Sequence, residues 1–249
     1  MTIGLWKLFA DDLDLRESKQ QHFNSLHDCF IRELKEGARV VDADQDVVVS
    51  PCDAIVGAFG RVNDTELFQA KGFPYTLQEL LKDTELVERH RDGYFVTLRL
   101  KSTMYHRFHA PYDGSINRVN YIAGDTWNVN PIALKRIEKL YCENERVVLS
   151  IDMDQRQESL TLVPVAAILV ASIKLNFLDH LLDLKYQGPD QIACHATFKK
   201  GGELGYFQHG STIIVFMSGG VSFCKNVKGG EVIRMGESLF RFDNPVNNA

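Results

Sequence analysis

The sequence predicts an α+β fold, mainly an antiparallel β core with an N-terminal amphipathic helix. Near the start, Phe23, Leu26, Phe30 and Leu34 recur at three- and four-residue steps, the period of one helical face. Beyond them the pattern changes to short β-branched or alternating runs punctuated by Gly, Asp and Asn, as strands and their turns require. One helix followed by many strands argues against a βαβ nucleotide-binding order.

In chain order, the helix is expected over residues 15–35, within an N-terminal helical segment 1–36. Strands are expected at Val47–Ser50, Ala54–Phe59, Tyr94–Leu100, Val147–Ile151, Val165–Ile173, Thr212–Met217 and Val232–Met235. A second helix is expected at Leu77–His90. The pairs Gly201-Gly202, Gly219-Gly220 and Gly229-Gly230 read as turn glycines at strand ends, not as phosphate cradles. There is no repeat, low-complexity run or Pro/Ser linker, and 249 residues suffice for one domain, 1–249, with a real core.

Composition narrows the function classes. The chain is 45% hydrophobic and 24% charged with a net charge of −5 and both signs interspersed. That is a globular composition; it argues against a nucleic-acid binder and gives no electrostatic pull toward an anionic membrane. Cys29, Cys52, Cys142, Cys194 and Cys224 are scattered and never in a CxxC spacing, so a reducing, cytoplasmic setting is expected, without a disulfide framework or structural zinc. Leu162–Ile173 is too short to span a bilayer. The opening MTIGLWKLFADDLDL lacks a signal-peptide pattern. Its Ile3, Leu5, Trp6, Leu8 and Phe9 offer a short interfacial anchor, but Asp11, Asp12 and Asp14 oppose anionic lipid, so packing on the domain is expected.

No GxGxxG, P-loop or GxSxG pattern is present, which removes the common nucleotide and hydrolase signatures. Three short segments carry side chains suited to chemistry. They are Ser50-Pro51-Cys52-Asp53-Ala54, Tyr105-His106-Arg107-Phe108-His109-Ala110-Pro111, and Glu203-Leu204-Gly205-Tyr206-Phe207-Gln208-His209-Gly210-Ser211-Thr212. Singly, each has an ordinary structural explanation: a turn aspartate, a histidine pair on a loop, a Gly-Ser-Thr turn before a strand.

Together, in this order, they resemble the phosphatidylserine decarboxylase family, whose marks are an SPxDG-like segment, a YHRxHxP segment and a late GST after a GxELGxF-like stretch. Here these stand as SPCDA, YHRFHAP and GGELGYFQHGST. The stretches FIRELKEGARVVD (30–42), QAKGFPYTLQELL (69–81), GDTWNVNP (124–131), ENERVVL (143–149) and VAAILVASI (165–173) are also family-like. The resemblance therefore extends over roughly residues 22–220. Two positions depart from the pattern: Ala54 replaces a glycine, and His209 stands where an apolar residue or glycine precedes Gly-Ser-Thr.

Decarboxylating an α-amino acid needs an electron sink that no ordinary side chain supplies, and no lysine with a phosphate cradle is evident for pyridoxal phosphate. The resemblance implies instead a pyruvoyl group made from Ser211. Ser211 Oγ attacks the Gly210 carbonyl, the resulting ester eliminates, and hydrolysis with loss of ammonia leaves the pyruvoyl cap. The zymogen is thereby cut between 210 and 211 into subunits 1–210 and 211–249, which stay associated. Gly210, without a Cβ, suits the close approach. Serine needs a base to become nucleophilic, and a histidine oriented by a carboxylate is such a base; the resemblance assigns those roles to His109 and Asp53. It gives His106 the substrate carboxylate or the proton traffic of decarboxylation.

The implied reaction converts phosphatidylserine to phosphatidylethanolamine and CO2 through a Schiff base, with peripheral contact on the cytoplasmic membrane face and a homodimer as family-level expectations. Three alternatives stand beside it. One is the same chemistry on a soluble amino acid or another serine-bearing headgroup. Another is an unprocessed, non-catalytic binding homologue, to which Ala54 and His209 would point. The third is a metal hydrolase with Asp53, His106 and His109 as ligands, which leaves Gly-Ser-Thr unexplained.

Overall fold

A computed structural model of the chain describes residues 12–68, 73–167, 172–208 and 211–244. Among them the strands are β1 (Val47–Val49), β2 (Ala54–Arg61), β3 (Glu66–Phe68), β4 (Pro74–Thr76), β5 (Tyr94–Leu100) and β6 (Arg107–His109). There follow β7 (Gly114–Ile122), β8 (Arg146–Met153), β9 (Leu160–Ala166), β10 (Ser172–Leu175), β11 (Leu182–Asp183) and β12 (Gln191–Phe198). The last are β13 (Glu203–Phe207), β14 (Ser211–Met217), β15 (Val221–Phe223), β16 (Val232–Ile233) and β17 (Ser238–Phe242). Helices are few and short: α1 (Leu26–Phe30), α2 (Leu77–Leu81), α3 (Thr84–His90), α4 (Pro131–Leu134) and α5 (Leu140–Glu143). The mainly antiparallel α+β architecture expected from the sequence is what these elements build.

The largest sheet runs β12-β7-β8-β9-β14-β5-β2-β16, with every neighbouring pair antiparallel. Its centre is β14, whose seven residues are all buried and pair along their full length with β5 and β9. A strand covered on both faces must be apolar throughout, which is why it reads STIIVFM. Ile213, Val215 and Met217 enter a core shared with the sheets β11-β10-β13-β6 and β1-β17-β15. Ile214 and Phe216 enter a second core, beneath the helices.

The predicted N-terminal amphipathic helix over 15–35 does not form; only α1 does, capped by the Ser25 hydroxyl accepting from the Asp28 N–H. Around it, residues 17–19 face 33–35 in a short ladder: Lys19 N donates to the Glu33 carbonyl at 2.9 Å and Lys35 N to the Glu17 carbonyl at 2.8 Å. Carbonyls that a longer helix would use are taken by arginines. Arg32 donates to the Cys29 carbonyl, and Arg107 to that of Ile31. Residues 1–11, with the proposed anchor, lie outside the described residues.

The helix expected at Leu77–His90 is two helices. Thr76 and Glu79 close a capping box on α2, Lys82 turns left-handed at φ 49°, and Asp83 caps α3 through the Glu85 and Leu86 N–H groups. The strand expected at Val165–Ile173 ends as β9 at Ala166 and resumes as β10 at Ser172, with 168–171 outside the described residues.

Candidate active site

Sheet register carries the first and third segments to one end of the large sheet. Ser211 opens β14 and pairs with Leu100 on one side and Ala166 on the other. Because Ile55 pairs with Arg99, Ala54 falls beside Leu100, and Asp53 immediately precedes it. Neighbouring strands lie about 4.8 Å apart, so the strand that follows Asp53 is about 10 Å from that of Ser211. The second segment joins by backbone. His109 N donates to the Pro51 carbonyl at 2.8 Å and Phe207 N to the His106 carbonyl at 3.0 Å. β6 therefore lies between the first segment and β13. The chain then crosses from the four-stranded sheet to the eight-stranded one. That crossing includes His209 and Gly210, both outside the described residues.

Asp53 is buried and bound to a residue to which the sequence reading gave no role. Arg39 Nε donates to its Oδ1 at 2.8 Å and Nη2 to its Oδ2, while Met235 N donates to Oδ1 at 2.9 Å. A guanidinium matches a carboxylate in this forked way. Burial works against the charge on Arg39, but Asp53 and Glu17 outweigh it and push its pKa upward. No hydrogen bond runs between Asp53 and His109.

His109 Nδ1 lies 2.9 Å from the Gly201 carbonyl, which can only accept, so the proton sits on Nδ1. Nε2 therefore presents its lone pair, and the Tyr105 hydroxyl donates to it at 3.0 Å. Burial lowers the His109 pKa; the Gly201 carbonyl, then the Glu203 and Asp53 carboxylates, oppose the shift. The ring is held as a neutral base. His106 is held elsewhere: its Nδ1 donates to the Met104 carbonyl at 2.9 Å and its ring lies 3.7 Å from that of Phe30. The two histidines thus have separate surroundings, and among the described residues no three potential ligands converge on a metal position.

Ser211 is fully buried, and its Oγ has no hydrogen-bond partner among the described residues. The buried hydroxyls of Ser18, Tyr75, Ser172 and Thr212 share that condition among the described residues, so what sets Ser211 apart is its place at the head of β14, directly after the Gly-Ser-Thr glycine. Other residues of the quoted segments prove structural. Arg107 bonds Glu203 at 2.8 Å, and Glu203 also accepts from Asn176 at 2.8 Å, clamping β6 to β13. Gly205 has no room for a side chain, since a Cβ would collide with the Lys174 carbonyl oxygen. Gly201 turns at φ +84°, as expected of a turn glycine.

A family model described as Phosphatidylserine decarboxylase matches residues 26–241. The phosphatidylserine decarboxylase proenzyme of Vibrio parahaemolyticus is 35% identical over 231 residues, covering 90% of this chain and 80% of the relative. That of Aliivibrio salmonicida is 34% identical over 247 residues, with 93% and 84% covered. That of Acinetobacter baylyi is 34% identical over 240 residues, with 95% and 82% covered.

Proposed function

The chain belongs to the phosphatidylserine decarboxylase family, and from that premise we propose that it is a proenzyme cut between Gly210 and Ser211 that decarboxylates phosphatidylserine to phosphatidylethanolamine. The observation that carries the reading is the position of Ser211, fully buried at the head of the central strand with no hydrogen-bond partner for its Oγ among the described residues. Its surroundings fit the group that family membership implies. A pyruvoyl cap at residue 211 would be held by the β14 ladder to β5 and β9 and would supply the electron sink for the substrate's α-carbon.

The chain's own residues then have distinct tasks. His109, neutral and with its tautomer set by Gly201, accepts the Ser211 proton once its Nε2 exchanges Tyr105 for the serine hydroxyl. Asp53, whose orientation is fixed by Arg39 and Met235 N, raises the His109 pKa against the effect of burial. His106, with Nδ1 anchored on Met104, serves the substrate carboxylate. Residues 211–249 stay with 1–210 after the cut, because β14, β15, β16 and β17 are woven into two sheets. Among the described residues no helix is long and apolar enough to cross a membrane. In this reading the substrate is met by peripheral contact on the cytoplasmic membrane face, and a homodimer is the expected assembly.

A denaturing gel with intact mass measurement tests the cut. Two fragments separated between Gly210 and Ser211, the smaller one blocked to N-terminal sequencing, are expected, and Ser211→Ala should stay whole. CO2 release from phosphatidylserine vesicles and from free serine, assayed separately, tests the substrate. An uncut chain after long incubation, or release from serine alone, would overturn the respective half of the reading.

A further inference from the structure

Among the described residues, three fully buried histidine, arginine or carboxylate side chains lie outside the three segments: His90, Arg146 and Glu145. Two are held by protein groups. His90 Nε2 meets Thr161 Oγ1 at 2.8 Å. Arg146 donates to the carbonyls of Leu80, Cys142, Asn144 and Glu79 at 2.6 to 2.9 Å. Glu145 differs, because neither carboxyl oxygen has a hydrogen-bond partner among the described residues. The Tyr121 hydroxyl lies beside this carboxyl, close enough to act on its titration, but is oriented to donate to the Asp183 carbonyl at 2.9 Å. Structural buried carboxyls are normally satisfied; one that is not is a candidate for chemistry.

Its position gives the chemistry a target. Arg146 pairs with Val165, so Glu145 stands opposite Ala166, whose N–H donates to the Glu145 carbonyl at 2.8 Å. Ala166 in turn pairs with Ser211. Directly opposed residues of antiparallel strands share a face, so Glu145, Ala166 and Ser211 form one row on the face of the core that holds Ala54, Leu100 and Ala166. Arg146, one residue on, turns to the opposite face and reaches the α2 carbonyls. Glu145 and Ser211 are two strand spacings apart, about 10 Å, and only the methyl group of Ala166 stands between them in the row.

We propose that Glu145 is a further catalytic residue: its carboxyl reaches over Ala166 to the substrate headgroup held at residue 211 and delivers the proton that replaces the departing carboxylate. The inference rests on the decarboxylase reading above. The bond between the substrate α-carbon and its carboxylate breaks, the carboxylate leaves as CO2, and the pair left behind takes the proton from the Glu145 O–H. Glu145 is left ionised and is reprotonated by water. The acid is charged with its proton at neutral pH, because burial, and then the Asp183 carboxylate, push its pKa up to about 8 against the opposing Tyr121 hydroxyl. Proton delivery thus falls to Glu145, and His106 keeps the substrate carboxylate.

The test is Glu145→Gln, which preserves size and removes the acid. Self-cleavage should proceed to the same two fragments, while CO2 release from phosphatidylserine vesicles falls by roughly 100-fold or more, the scale of a lost general acid. In D2O the wild type should place deuterium on the α-carbon in one configuration, and the variant in a mixture. Separately, unprocessed Ser211→Ala protein at pH 7 should show the infrared carbonyl band of a protonated carboxyl, absent from its Glu145→Gln derivative. Unchanged CO2 release and configuration in the variant, loss of self-cleavage, or absence of that band would each overturn the assignment. A wild-type protein that is uncut or inactive would instead refute the decarboxylase reading.

Discussion

Replacing Arg39 with alanine strips Asp53 of its forked partner and leaves a buried carboxyl with one remaining donor among the described residues, the Met235 N–H at 2.9 Å. The side chains of Arg39 and Asp53 are only 8% and 10% exposed, so the pair belongs with buried ion pairs and not with surface ones. Breaking a buried pair by removing one partner destabilises by about 3–5 kcal/mol. The retained Met235 contact and the partial exposure of Glu17, the other carboxylate on Arg39, place the expectation near about 3 kcal/mol. That corresponds to about a hundredfold shift in the folding equilibrium. Denaturant unfolding should be measured in the Ser211→Ala background, where every molecule is a single chain. Adding Asp53→Asn to Arg39→Ala removes the stranded charge and should recover about half of the loss. A single-variant loss below about 1 kcal/mol, the range of exposed pairs, would refute the reasoning. So would a double variant no more stable than the single one.

In the processing-competent protein, Asp53→Asn or His109→Ala should slow the appearance of the small fragment on gels by about 100-fold or more, the scale of general-base loss. His106→Ala should leave cleavage intact and reduce CO2 release; the opposite pattern would exchange the two histidines. His90 predicts acid lability. Burial lowers its pKa from 6.5 to about 4, so the folded protein resists a proton that the unfolded chain accepts. Stability from this group is complete above pH 6.5 and lost as pH falls toward 4, by about 3 kcal/mol in total. His90→Gln should flatten the stability profile between pH 7 and pH 4.5, and an unchanged slope in denaturant titrations would contradict the burial argument.

The legible parts of the fold were those whose burial is written in a local pattern. β14 was visible because a strand covered on both faces must be apolar at every position, and β5 for nearly the same reason. β12 was not, since Ala193, Cys194, His195 and Ala196 on an edge strand give little hydrophobic contrast, and β7 carries Asn117 and Arg118 outward. The 15–35 periodicity was real only where Phe30 packs against His106. Elsewhere, side chains of Arg32 and Arg107 claim the carbonyls, a competition that helical spacing cannot reveal. At the site, the candidate residues proposed for chemistry were readable from the three segments. The partner of Asp53 was not, because Arg39 meets it through tertiary folding across 14 positions. The FIRELKEGARVVD stretch contained that arginine, and a search for a cation to balance a buried motif aspartate would have found it.

The crossing between β13 and β14 has a consequence for the life of the protein after maturation. The proposed cut would leave the pairings of β14 from Thr212 onward with β5 and β9 in place, so the fold would persist, but the molecularity of unfolding would change. In the intact chain β14 refolds as a tethered segment at high effective concentration. Once freed, it must find its slot between β5 and β9 as a separate molecule. Cleavage at the proposed position would thus convert a reversible fold into a kinetically held one: a processed protein should keep its shape for as long as it stays folded, and dilution after denaturation should return little of it.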